Sequence, residues 1–299
     1  MPDSTAPRST AASAPASAAD RTGPPASRPP TPRPLAGATA QTVAALRAAG
    51  CVFAEEEARL LIEAADGPAD LAAKVALRAS GLPLEHVVGW AEFAGLRIAV
   101  DPGVFVPRRR TEFLVDRALA LGREGAVVLD LCCGSGAVGA ALATGLRGVE
   151  LHAADLDAAA VRCARRNVAP LGGTAYEGDL YAPLPGRLRG RVDLLAANVP
   201  YVPTAEVPLL PAEARDHEAP LALDGGPDGL DVLRRVVAGA PRWLAPGGAL
   251  LFETTERQAR EAVRILRRAG LTPDVATDED MHATVVVGRA SAQRAPGTD

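Results

Sequence analysis

Two short segments carry residue types and spacings that could do chemistry. The first is Asp130-Leu-Cys-Cys-Gly134-Ser135-Gly136-Ala-Val-Gly139, just after an apolar run. Glycines there let the backbone turn tightly and approach a ligand at a helix N-terminus. Gly134, Gly136 and Gly139 satisfy G-x-G-x-x-G, which fits either a nicotinamide dinucleotide or S-adenosylmethionine. Asp130 tips the balance. A carboxylate beside a pyrophosphate is unfavourable, whereas an ammonium and a sulfonium both suit one. The second segment is Asn198-Val199-Pro200-Tyr201. An asparagine side-chain oxygen and the next backbone oxygen are two acceptors that can grip both hydrogens of one NH2 group. Proline stiffens that turn, and the Tyr201 ring can pack on a planar amide or base. Methyl transfer to an NH2 nitrogen is the chemistry these parts would do. Its levers are alignment, strong acceptance of the N–H bonds and exclusion of water.

Such parts need a scaffold, and the hydrophobic pattern predicts an α/β one. After Thr111, strand-like runs at 127–131, 150–155, 192–198 and 248–254 alternate with helical stretches at 159–167, 229–240 and 256–270. That alternation predicts βαβ units and a Rossmann-like parallel sheet with helices on both faces. Asp130, Asp155 and Asn198 then fall at strand ends, where such sheets meet ligands. Asp179, beside Gly178, follows a further strand candidate, where a carboxylate can accept from an adenine amino group. The last two runs, 273–277 and 283–289, predict a closing hairpin with an antiparallel strand. Upstream, 38–90 reads as a small domain of three short amphipathic helices, with Ala58, Leu61, Ile62 and Ala65 on one stripe. Residues 91–110 read as a hairpin linker and 111–289 as the α/β domain. Residues 1–37, rich in Ala, Ser, Thr and Pro, read as a disordered extension, and 290–299 as a disordered tail. Pro24-Pro25 and Pro29-Pro30 argue against an amphipathic transit helix.

Composition removes several classes. The 299-residue chain is 48% hydrophobic, which rules out global disorder, and it has no apolar run long enough to span a membrane. Its net charge of -4 and 3% aromatic content disfavour stable nucleic-acid binding. Lys74 is the only lysine, a bias that matches the abundance of Ala, Gly and Pro. Cys51, Cys132, Cys133 and Cys163 form no CxxC pair and have no histidine cluster beside them, so no metal site is expected. Reduced thiols suit the cytoplasm.

The chain resembles the protein N5-glutamine methyltransferases, whose best-known substrates are peptide-chain release factors. Their Asn-Pro-Pro-Tyr motif matches at Asn198, Pro200 and Tyr201, and Val199 departs from it. Residues 106–112 resemble the family's Pro-Arg-Pro-Glu-Thr-Glu segment at Pro107, Arg108, Thr111 and Glu112. Residues 222–230, Ala-Leu-Asp-Gly-Gly-Pro-Asp-Gly-Leu, are similar to a family landmark, with Glu218 preceding them. Other departures are Arg109-Arg110 for Pro-Glu, and Thr254-Thr255 after Glu253. The resemblance spans about Leu82 to Gly288. It implies a class I methyltransferase sheet over 111–289 and a substrate-recognition role for 38–90. It also implies S-adenosylmethionine as cofactor and a release factor or another translation protein as partner. The residues expected to hold the cofactor are Asp130, Gly134, Ser135, Gly136, Asp155, Leu156, Asp179, Leu180 and Asn198. Those expected to hold the acceptor and act on it are Asn198, Val199, Pro200 and Tyr201, with Arg108 and Thr111 contacting the substrate. Two alternatives keep the donor: an N-methyltransferase for an exocyclic amino group of DNA or RNA bases, and a donor-binding module silenced at Val199. A nicotinamide oxidoreductase is a further one.

Overall fold

The computed structural model describes residues 36–292. The extension expected over 1–37 and the tail expected over 290–299 therefore lie outside the described residues, apart from 36–37 and 290–292. Ala36 already opens the first helix.

Four helices, one more than the periodicity predicts, make the N-terminal module: α1 (Ala36–Ala48), α2 (Ala54–Ala64), α3 (Pro68–Ala79) and α4 (Leu84–Val88). The extra one, α4, has five residues and starts after Pro83, too short to show a period. Leu46, Ala54, Ala58 and Leu61 form the module's core, with Val43, Leu71 and Val75 packed against it. Glu57 breaks the pattern of the acidic first turn of α2. It faces inward and meets Arg78 of α3 in a buried ion pair.

A hairpin follows, β1 (Trp90–Phe93) against β2 (Leu96–Ala99). Ala94 and Gly95 both take positive φ in its turn, which suits the twist of paired strands. The Ala99 backbone is fastened to the next domain by Asn167, which accepts from its N–H and donates to its oxygen, both at 2.9 Å.

The α/β domain holds α5 (Glu112–Leu119), β3 (Val127–Leu131), α6 (Ala137–Gly145), β4 (Glu150–Asp155), α7 (Ala158–Val168), β5 (Thr174–Glu177) and β6 (Val192–Ala197). Then come α8 (Ala212–His217), α9 (Asp231–Gly239), β7 (Leu244–Thr254), α10 (Glu256–Arg268), β8 (Thr272–Asp278) and β9 (Ala283–Arg289). The seven strands run in the order β5-β4-β3-β6-β7-β9-β8, all parallel up to β7. β9 is antiparallel to both neighbours, as the closing hairpin requires. The central strand β3 is buried along its whole length, and alternation splits its side chains between two cores. Val128 packs with α5, α6 and α7, whereas Leu129 and Leu131 pack with α9 and α10. The chain turns outward from β3 in opposite directions, to β4 and to β6, so a crevice opens at their carboxyl ends.

Candidate active site

A cavity of about 600 Å³ lies at those strand ends. Asp130, Gly134, Ser135, Asp155, Leu156, Asp179, Leu180, Asn198, Val199, Pro200, Tyr201, Arg108 and Thr111 all border it. Gly136 does not. It caps α6 with φ 77°, and an added Cβ would sit 3.0 Å from Val168 and 3.2 Å from Ala164. Its part is to let the loop pack on α7, one step behind the wall.

The glycine loop is held by two carboxylates. Asp130 Oδ2 accepts from the Gly139 N–H at 2.8 Å, a contact that a side chain on residue 139 would crowd at 3.1 Å. Asp155 Oδ2 accepts from the Gly134 N–H at 2.8 Å, and its Oδ1 from the Asp157 N–H at 2.9 Å. Each carboxylate keeps lone pairs beyond these bonds. Cys132 and Leu180, both on the wall, are non-glycine residues at positive φ, a strain that collects where a chain must bend around a ligand. Asp179 is half exposed and pairs with Arg235 of α9, which also lines the cavity.

Burial raises the Asp130 carboxyl to about 8, although the Gly139 N–H opposes the shift. Asp155 is raised in the same direction by burial and held back by the Asp157 and Gly134 N–H groups. An unfolded aspartate titrates at about 3.9. Between about pH 4 and 8 the folded chain therefore holds a proton on Asp130 that the unfolded chain has lost, and this contribution to stability falls as pH rises. A cation bound beside Asp130 restores its charge. Titrating donor at neutral pH in two buffers of different ionisation enthalpy is expected to show net proton release, and equal heats in both would contradict this.

The Asn198-Val199-Pro200-Tyr201 segment follows β6, the strand paired with β3. Asn198 Oδ1 is buried and meets no hydrogen-bond donor among the described residues. A buried carbonyl left so is costly unless a ligand N–H satisfies it. Tyr201 is fixed by a network: its hydroxyl donates to Glu253 at 2.8 Å and accepts from Arg110 at 2.6 Å. Arg110 Nε also donates to Glu253, at 2.8 Å, and the Thr111 hydroxyl donates to its other oxygen at 2.6 Å. Burial and the Glu253 charge push the Tyr201 phenol upward, so it stays protonated. The loop 222–230 backs the motif through Gly225, whose N–H donates to Val202 O at 2.8 Å, and α10 does so through Gln258, whose Nε2 donates to Tyr201 O at 2.9 Å.

Residues 95–211 match the family model Methyltransferase small domain. Release factor glutamine methyltransferase from Geobacter sulfurreducens is 39% identical, over 74% of this chain and 79% of its own length. The protein of that name from Mycolicibacterium smegmatis is 40% identical, over 69% and 74%. The chain belongs to the release factor glutamine methyltransferase family.

The fold is that of class I S-adenosylmethionine-dependent methyltransferases. A methyltransferase from Pyrococcus furiosus shares it with a TM-score of 0.51 at 16% identity, over 66% of this chain and 90% of that one. Against the family's Pro-Arg-Pro-Glu-Thr-Glu segment, this chain puts Arg110 where glutamate is usual, and the structure gives that arginine the partner Glu253. Glu253 itself went unmarked as a site residue. Its place at the carboxyl end of a strand was the available signal. Arg235, Gln258 and α8 carried no signal, because their roles arise from contacts across the fold.

Proposed function

We propose that this protein transfers a methyl group from S-adenosylmethionine to the side-chain amide nitrogen of a glutamine in a peptide-chain release factor. The observation that carries the reading is Asn198 Oδ1, a buried acceptor without a donor on the wall of the cavity. The residues present suit the cofactor. Gly134 lies on the wall without a side chain, the buried Asp130 borders the cavity where an ammonium or sulfonium would suit it, and Asp155 ends β4 while Asp179 follows the neighbouring β5. Held there, S-adenosylmethionine would supply an electrophilic methyl group on its sulfonium. The chain's own work is positional. Asn198 Oδ1 and the Val199 carbonyl accept the two amide hydrogens, Pro200 stiffens their turn, and the Tyr201 ring, locked by Glu253 and Arg110, supports the amide plane.

A nucleic-acid acceptor is disfavoured by electrostatics. The three arginines on the wall, Arg108, Arg110 and Arg235, are each paired with a carboxylate, respectively Glu218, Glu253 and Asp179. That leaves little attraction for a phosphate backbone. A release factor substrate also places the work in the cytoplasm. Incubating release factors with the protein and donor, then measuring intact mass and mapping peptides, is expected to show one added methyl on a glutamine. No mass gain on any release factor would overturn the reading.

A further inference from the structure

The helical module touches the lip of the cavity through one arginine, Arg78, which pairs with the lining residue Glu213. Leu210, Pro211, Glu213 and Ala214 form a lip of the cavity, yet α8, which carries the last two, buries none of its residues. A six-residue helix without a buried face does not hold its place by propensity or packing. Its C-terminal end is tied to the chain after the hairpin: Glu218 Oε1 accepts from the Val106 N–H, and Ala219 N–H donates to Gly103 O, both at 3.2 Å. Its N-terminal half is held by Glu213, whose carboxylate pairs with Arg78 Nη1 at 2.7 Å.

Arg78 stands on α3 and is 8% exposed. Its Nε and Nη2 donate to Glu57 of α2 at 2.6 and 3.1 Å, and Nη1 also donates to Leu82 O at 3.0 Å. A single planar fork therefore joins α2, the turn after α3 and α8. An ammonium, being a compact charge, cannot bridge three such partners at fixed angles. Glu57 is buried with its partner, whereas the Glu213 side chain is 49% exposed. Only the Glu213 end of the strut can be released without stranding a buried charge.

We propose that Arg78 and Glu213 are positioning residues that let the helical module set the lip of the acceptor site. The strut fixes the lip for the incoming protein and leaves the donor half of the cavity alone. This rests on the acceptor being a protein, as proposed above.

The test uses the full chain with Arg78→Lys, Glu213→Ala and both together. Hydrogen exchange of the amides over 212–218 is expected to quicken by about tenfold in each single variant, because the strut supplies the hold that packing lacks. The Michaelis constant for the release factor is expected to rise by about tenfold, with kcat and donor affinity within about twofold. In exchange over 212–218 the double variant is expected to match Glu213→Ala, since Arg78 reaches α8 through Glu213. Unchanged exchange over 212–218, an additive double variant or a parallel loss of donor affinity would each overturn the strut. The exchange measurement reads the strut even if no release factor is methylated, a result that would count against the activity alone.

Discussion

Replacing Asn198 with alanine is expected to lower kcat/KM for the protein acceptor by about 10²–10³-fold, the loss typical of one preorganised acceptor or donor at a reacting group. An amide nitrogen is a weak nucleophile because its lone pair is delocalised, so catalysis depends on holding the group in line with the methyl. Asn198 Oδ1 is a buried polar atom with no hydrogen-bond partner among the described residues, and an amide hydrogen would satisfy it. Its removal leaves one hydrogen of the acceptor without that bond and frees the group to rotate. Donor affinity is expected to stay within about threefold, because Asp130, Asp155 and the glycine loop are untouched. Single-turnover rates with saturating donor, beside a calorimetric donor titration, separate the two quantities. Turnover within threefold of wild type would show that Asn198 does not hold the acceptor.

The second large effect is expected at Gly229. Its φ is +75°, and a Cβ there would lie 2.2 Å from Tyr201 O and 2.4 Å from Gln258 Nε2. The first of these is backbone, so relief requires moving the acceptor motif itself. Gln258 is no easier to displace. It completes the capping box of α10 with Thr255 while donating to Tyr201 O and Asp228 O. Gly225 is equally enclosed, with Pro200 O and Gly229 O each 2.6 Å from its missing Cβ. The landmark 222–230 is thus a backbone-to-backbone contact that only glycine allows. Left-handed strain and overpacking together place the cost of Gly229→Ala at about 2–4 kcal/mol. For a domain of this size that is roughly a 10 °C fall in melting temperature. Acceptor turnover is expected to fall by about 10²-fold or more as Tyr201 and Asn198 shift. A melting temperature and turnover both close to wild type would mean that the loop yields freely and does not brace the motif.

Much of the fold was legible because it is written in local periodicity. Runs such as 127–131 and 192–198 read as buried strands, and the rule that ligands meet strand ends brought Asp130, Asp155 and Asn198 into one place. The Asn198-Val199-Pro200-Tyr201 order then supplied the acceptor chemistry. What escaped notice depends on contacts distant in sequence. Arg110 looked like a bare departure from a motif, yet Glu253, 143 positions on, is its partner. Glu57 read as a helix-dipole acid, although it is one end of a buried pair with Arg78. Gly136 fitted the glycine pattern but faces α7, because the pattern marks backbone conformation and is silent on which glycine meets the ligand. α4 and α8 are each too short to generate a period.

The place of β9 bears on the order in which the chain can be completed. It slots between β7 and β8, so β8 has no sheet partner until a strand made after it arrives. On the ribosome, a chain grown only through β8 would display the open edge of β7, a template for pairing with other chains. Sealing that edge requires pairings from β9 to β7, which start at Ala249↔Arg289 and finish at Thr254↔Thr284. Synthesis and closure of the catalytic sheet are thereby coupled: the domain reaches its final form only when its last described strand enters the interior of the sheet, not its margin.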